Sequence, residues 1–175
     1  MKVIGLAGWS GAGKTTLLKR AIPHLLKEGL RVSVIKHAHH EFDVDVPGKD
    51  SWVHRQSGAS EVLVSSSRRW ALMHELRGAA EPRLQELLAK MAPVDLVLVE
   101  GYKRASHPKL EVYRACVGKP LLQHDDPAIV AIASDEPLPA ARVPVVDLDD
   151  TEAIADILIR HAAPIDAILA HTGPG

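Results

Sequence analysis

Gly8, Gly13, Lys14 and Thr15 stand at the fixed positions of the pattern G-x-x-x-x-G-K-[ST], inside the stretch Val3–Thr16, VIGLAGWSGAGKTT. These residue types at this spacing suit one chemistry, the holding of a nucleoside triphosphate. Glycines let the backbone adopt positive φ and come close to a ligand, so that successive N–H groups converge on phosphate oxygens. A helix beginning near Lys14 adds its positive N-terminal end at the same place. The Lys14 ammonium then reaches the β- and γ-phosphates, and the Thr15 hydroxyl binds Mg²⁺. The expected cradle comprises Gly8, Ser10, Gly11, Ala12, Gly13, Lys14, Thr15 and Thr16.

Three further segments carry candidate chemistry. The run Leu96–Val99 reads as a buried strand and ends in Glu100-Gly101. A carboxylate at such a strand end helps hold the Mg²⁺ hydration shell; Glu100 stands where Asp is more usual, and the Gly101 N–H faces the γ-phosphate. A second run, Ile129–Ala133, ends in Ser134-Asp135-Glu136. A carboxylate is the suited acceptor for the guanine N1–H and exocyclic amine, so Asp135 is the candidate base reader. The Asn-Lys-x-Asp signature of many GTPases is missing, and a plain turn acid is the alternative. The third segment, His37–Lys49, reads HAHHEFDVDVPGK. It admits three readings: a solvated loop, a switch-like loop that brings Asp43 and Asp45 toward Mg²⁺ or the attacking water, and a transition-metal site from His37, His39 and His40. Lys103 and Arg104 follow Glu100 closely and either face an anionic ligand or lie on a solvated surface.

These residues need a scaffold, and the apolar spacing supplies one. Leu17, Leu18, Ala21, Ile22, Leu25 and Leu26 make one face of a helix over Thr16–Glu28, with Pro23 inside it and Gly29 at its end. Arg31–Lys36 alternates as a strand, so strand, loop, helix and strand form a βαβ unit with a right-handed crossover. Asp50–Gln56 reads as a short helix. Glu61–Ser65 and Arg69–Leu76 read as a hairpin, with Trp70 and Met73 more often core than contact residues by type. Helices are expected over Glu81–Met91 and Thr151–Ala162, the latter capped by Asp149 with Glu152, and a short turn over Ile165–Leu169. Strands are expected at Lys109–Arg114 and Val145–Asp147. The expected fold is α/β, a P-loop NTPase with a mostly parallel sheet flanked by helices plus an extra β-hairpin: one GTP-binding domain over residues 1–175, with a hairpin insertion near 60–76.

Composition removes other classes. The 175 residues carry a formal net charge of −1, so no global field draws the chain to nucleic acid or an anionic membrane. The single cysteine, Cys116, excludes an intramolecular disulfide and reads as a small core residue of a strand. Met1-Lys2 leads directly into the first strand, and no apolar run is long enough to span a bilayer. A cytoplasmic protein is the expectation.

Taken together, three segments resemble the MobB family, the molybdopterin-guanine dinucleotide biosynthesis adaptor proteins. They are Gly8–Thr16, Lys36–His40 with Asp43–Asp45 and Pro47–Ser51, and Leu98–Lys103; Ile132–Asp135 adds a looser match. The resemblance implies a GTP-binding protein with weak intrinsic GTPase activity that acts beside the molybdopterin guanylyltransferase, of MobA type, and with proteins that handle the molybdenum cofactor. It implies a homodimer built on extra strands such as the Glu61–Leu76 hairpin. It also implies phosphate contacts from Gly11, Gly13, Lys14 and Thr15, and Mg²⁺ near Thr15 and Glu100. Asp43 and Asp45 are the candidates to activate water, and no arginine stands out as aimed at the γ-phosphate, which accords with a slow enzyme. Two alternatives remain: a small-molecule kinase, for which Tyr102-Lys103-Arg104 makes a thin lid, and a metallochaperone-type GTPase using the histidines.

Overall fold

Lys2–Ala7 (β1) is apolar after its first residue, and the side chains from Val3 to Ala7 are buried. A strand that is apolar on both faces has to be covered on both, and the computed structural model, which describes residues 1–38, 42–103 and 105–170, shows how. The helix Lys14–Lys27 (α1) follows the glycine loop, and Val32–Lys36 (β2) returns alongside. After the helix Asp50–Gln56 (α2) come the strands Glu61–Ser65 (β3) and Trp70–His74 (β4), then the helix Leu84–Leu88 (α3). Leu96–Glu100 (β5), Lys109–Tyr113 (β6), Ile129–Ser134 (β7) and Val145–Asp147 (β8) complete the parallel part of the main sheet. The helix Thr151–Arg160 (α4), the two-residue strand Ala163–Pro164 (β9) and the helix Ile165–Leu169 (α5) close the described chain.

The sheet runs in the order β2-β5-β1-β6-β7-β8, with β9 antiparallel on β1. The expected mostly parallel, helix-flanked P-loop architecture is the one observed. Strand alternation sorts the core into two layers. Ile4, Leu6, Leu96 and Leu98 pack with Leu17, Ala21 and Leu25 of α1 and with Ile154 and Leu158 of α4. Val3, Val97 and Val99 face the other way, onto Leu84 and Leu88 of α3 and Ile168 of α5.

One crossover is unusual. Among its described residues the link from β5 to β6 carries no helix, and it returns across β1, where β9 takes Lys2 and Val3 and β6 pairs only from Gly5 onward. His107 lies there, fully buried. A Cβ built on Gly5 would stand 2.2 Å from the His107 Nε2, so the missing side chain is what admits the imidazole.

The chain divides into two compact units, Met1–His37 with Leu84–Gly175, and Ala38–Arg83. The expected hairpin is present, with Glu61 opposite His74 and Ser65 opposite Trp70, and together with α2 it belongs to the second, smaller unit. Arg55 is the hub of that unit. Its Nη2 lies 2.6 Å from Asp43 Oδ1 and 2.7 Å from Asp45 Oδ1, and its Nη1 lies 2.8 Å from Glu75 Oε1. Hydrogen bonds from Arg55 hold the Asp45 carboxyl below the usual carboxylate range. A lowered folded-state pKa adds stability that is present at neutral pH and lost as pH falls through that value. Arg55→Ala is therefore expected to speed amide exchange in α2, β3 and β4 while leaving β1 and β5 protected, as read by hydrogen exchange at pH 7.

Several local expectations differ from what forms. The helix expected over Glu81–Met91 is confined to Leu84–Leu88, because Ala89, Lys90 and Met91 close it with turn bonds to Gln85, Leu87 and Leu88 ahead of Pro93. Asp150, not Asp149, caps α4, accepting from the Ala153 N–H at 2.9 Å, and Asp149 pairs with Arg20. Cys116 is exposed in a 3-10 turn over Ala115–Val117 and is no part of a strand. Trp70 is 69% exposed rather than core, since β3 and β4 make a two-stranded sheet by themselves.

Candidate functional site

The glycine loop leaves the C-terminal end of β1 and enters α1. Gly8 has φ 140°, and a Cβ there would lie 2.5 Å from the Val112 carbonyl oxygen of β6, so only glycine lets the loop start this close to its neighbour. Gly13 is the N-cap of α1, and Ala12 is buried beneath the loop. Ser10 and Gly11 occupy the turn between them, and Thr16 lies in the first turn of the helix. The free N–H groups of that first turn point back toward the loop.

Lys14 folds onto the loop. Its ammonium donates to the carbonyl oxygens of Gly8 at 2.8 Å and Trp9 at 3.1 Å. Burial pushes its pKa below the usual lysine value; the Glu100 carboxylate opposes this, and the cations Lys103 and Lys36 add to it. The ammonium therefore sits where an incoming anion gains the most from it.

β5 lies directly beside β1, with Leu6 opposite Glu100. That register brings the Glu100 carboxylate to the loop, and the Thr15 hydroxyl donates to Glu100 Oε1 at 3.0 Å. Two oxygens about 2.9 Å apart are what cis positions of an octahedral cation with ligand bonds of about 2.0–2.1 Å require. A hydroxyl and a carboxylate are also hard donors. The pair suits Mg²⁺ on both counts. Gly101 follows with φ 105°, and a Cβ there would stand 2.5 Å from His37 Cβ. His37 itself is held at the same strand end, where its N–H donates to the Glu100 carbonyl oxygen at 2.8 Å.

The P-loop residue Trp9 gathers the next shell. Its Nε1 donates to the Pro120 carbonyl oxygen at 2.8 Å, and the ammonium groups of Lys103 and Lys119 lie 5.4 and 5.8 Å from its ring centre. Lys103 thus belongs to the loop end of the sheet; Arg104 lies outside the described residues.

Asp135, at the end of β7, has its carboxylate engaged. Oδ1 accepts from the Ala115 N–H at 3.0 Å, and Oδ2 lies 3.6 Å from Arg114 Nη1. Sequence reasoning passed over Arg114. A Cβ built on Gly13 would lie 3.3 Å from its Nε, so the guanidinium rests on the loop. The available signal was position: Arg114 ends the segment Lys109–Arg114, at the end of a strand beside β1. Asp43 and Asp45 bind Arg55 in the second unit. His39 and His40 lie outside the described residues, as does Glu41, and among the described residues no group of three or more His, Cys, Asp or Glu is placed to hold a metal. No helix among the described residues is long and apolar enough to cross a membrane.

Comparison with known proteins agrees with this geometry. Residues 3–135 match the family model described as molybdopterin guanine dinucleotide synthesis protein B, MobB. The chain is 43% identical over 160 residues to the molybdopterin-guanine dinucleotide biosynthesis adapter protein of Escherichia coli (strain K12), covering 90% of this chain and 91% of that protein. With the Haemophilus influenzae adapter protein it shares 40% over 159 residues, covering 89% and 86%. A crystal structure of a MobB protein homolog from Bacillus stearothermophilus superposes with a TM-score of 0.67 at 30% identity, over 91% of this chain and 96% of that one. On these matches and the phosphate-loop geometry, the chain belongs to the MobB family.

Proposed function

We propose that this chain is a GTP-binding adaptor of molybdopterin guanine dinucleotide biosynthesis, with Mg²⁺ as its cation and slow hydrolysis as a side activity. The observation that carries the reading is the conjunction of Lys14, folded over the loop carbonyls at 2.8 and 3.1 Å, with the Thr15–Glu100 oxygen pair at 3.0 Å. One half receives phosphate and the other receives its cation. Bound Mg²⁺ would offset charge on the β- and γ-phosphates. Thr15 and Glu100 would hold it, Lys14 would leave its carbonyl partners for phosphate oxygens, and the Gly101 N–H would face the terminal phosphate.

Weak hydrolysis follows from the surroundings. Asp43 and Asp45, the candidates to activate water, are engaged by Arg55. A slow enzyme of this kind is suited to signal its nucleotide state to a partner. We take the partner to be the guanylyltransferase that joins GMP to molybdopterin, and the active form to be a homodimer using β3 and β4. Leu63, Val64, Trp70 and Leu72 leave that small sheet apolar and exposed, as a surface awaiting cover.

Titration of GTP and ATP in the presence and absence of Mg²⁺ tests this. GTP should bind more tightly than ATP, and Glu100→Gln should raise the Mg²⁺ concentration needed for hydrolysis at least roughly tenfold, in line with loss of a charged ligand. Metal-free GDP affinity should change little. An unaltered Mg²⁺ requirement in Glu100→Gln would remove the metal assignment, and equal affinity for ATP would remove the guanine preference.

A further inference from the structure

β1 has a neighbour on each side, and the two neighbours deliver different groups to the loop. β5 brings Glu100 to the Thr15 hydroxyl, which marks the metal side and so the terminal-phosphate side of the cradle. β6 lies on the opposite flank and ends in Arg114. The Arg114 guanidinium packs on Gly13, with 3.3 Å from its Nε and 3.8 Å from its Nη2 to the place a Gly13 Cβ would occupy. Gly13 caps the helix whose first-turn N–H groups face the phosphates.

We propose that Arg114 binds the inner phosphates of the nucleotide from the β6 flank, and that Asp135 is its positioning residue rather than a reader of guanine. The inference rests on the nucleotide-binding reading above. The guanidinium stands across β1 from the Thr15–Glu100 pair, away from the side assigned to the terminal phosphate. A guanidinium offers several donors in a fixed fork, which suits non-bridging phosphate oxygens.

Asp135 has the form of an anchor. Its Oδ1 takes the Ala115 N–H and so fixes the turn that follows β6, while its Oδ2 faces Arg114 at 3.6 Å, beyond hydrogen-bond length. The guanidinium is thereby held over the loop without being locked away from it. Arg114 keeps 33% of its side-chain surface open, so a ligand can reach it.

The test uses the full chain and four proteins: wild type, Arg114→Ala, Arg114→Lys and Asp135→Asn. Affinities for GTP, GDP and IDP are measured by calorimetry, and single-turnover hydrolysis and thermal midpoints are followed in parallel. Arg114→Ala should weaken GTP and GDP alike, by about tenfold or more, the scale of one charge-assisted hydrogen bond. Any change in the hydrolysis rate of saturated enzyme should accompany the loss of GDP affinity and not occur without it, since the contact proposed is to the inner phosphates that both nucleotides carry. Arg114→Lys should recover part of the affinity, because a point charge replaces the fork. Asp135→Asn should weaken GDP and IDP by one common factor, since its amide oxygen still accepts from Ala115 while the charge facing Arg114 is gone.

Unchanged affinity in both Arg114 variants overturns the proposal. So does a loss confined to hydrolysis with GDP binding intact, which would make Arg114 a γ-phosphate group. A collapsed GDP-to-IDP ratio in Asp135→Asn returns that residue to base recognition, because the two nucleotides differ by the exocyclic amine. If Arg114→Ala does not fold, Arg114→Lys carries the comparison. Failure of the wild type to bind any of the three removes the nucleotide reading itself, an outcome separate from a variant that binds as the wild type does.

Discussion

Lys14→Ala is expected to weaken GTP binding on the order of a hundredfold or more, enough to make it undetectable in ordinary calorimetry. The ammonium is a partly buried cation with two carbonyl oxygens as its present partners, at 2.8 and 3.1 Å. Phosphate oxygens would replace neutral acceptors by charged ones, and each such bond contributes about 1.5–3 kcal/mol. Two of them account for the expected loss. The fold should survive, because Lys14 stands at the first turn of α1 and the apolar face of that helix begins at Leu17. Lys14→Ala with wild-type GTP affinity and an unchanged thermal midpoint would falsify the placement of the phosphates in this loop.

The second large effect is on stability in acid, and it comes from His107. This imidazole is fully buried against Gly5, and neither ring nitrogen has a hydrogen-bond partner among the described residues. Burial pushes its pKa down to about 4, the Lys109 ammonium beside it adds to the shift, and the Asp126 carboxylate opposes it. Lys109 is itself buried and bound to Asp126 at 2.9 Å, so the charges facing the ring are already paired. The folded protein thus takes up the His107 proton only near pH 4, whereas the unfolded chain takes it up near the usual histidine value of about 6.5. Between those values the unfolded state binds more protons, and stability rises with pH. It is complete above about pH 6.5 and falls as pH is lowered toward 4, by roughly 3 kcal/mol in all.

Denaturant unfolding at a series of pH values reads this directly. His107→Leu should remove most of the slope between pH 6.5 and 4 and leave stability at pH 8 equal or greater, since an apolar side chain replaces a buried polar one without partners. A slope that persists between pH 6.5 and 4 in His107→Leu would assign the acid sensitivity to groups other than His107; the Asp45–Arg55 pair acts only at lower pH, as pH falls below the ordinary carboxylate value.

The parts of this protein that could be read from residues alone share a physical reason. Phosphate binding uses successive backbone N–H groups and a helix start, so Gly8 to Thr16 had to be contiguous, and the motif identifies itself. Glu100 was legible because a short valine- and leucine-rich run, bounded by Pro93 and Gly101, reads as a strand and puts the acid at its end. The parallel sheet followed from the alternation of strand and helix patterns, and the hairpin from two β-rich runs joined by a short polar turn. Such features are local, and local patterns survive translation into one dimension.

Tertiary structure decided the rest, because each remaining feature depends on residues far apart in the chain. Arg114 became a candidate ligand only when β6 was set beside β1 and its guanidinium came to rest on Gly13. Asp135 has its carboxylate on Ala115 and Arg114, twenty residues away and more, which no spacing rule could express. That Asp43 and Asp45 pair with Arg55 showed only once α2 folded against the segment that precedes it. His107 gained a pH-sensitive place in the core because β9 displaces β6 from the first residues of β1 and Gly5 leaves the space. From its residues alone the chain showed a phosphate-loop motif and, at a strand end, the carboxylate proposed to hold its cation. Which side chains flank that loop was set by the order of strands in the sheet, since that order chooses what stands on either side of it.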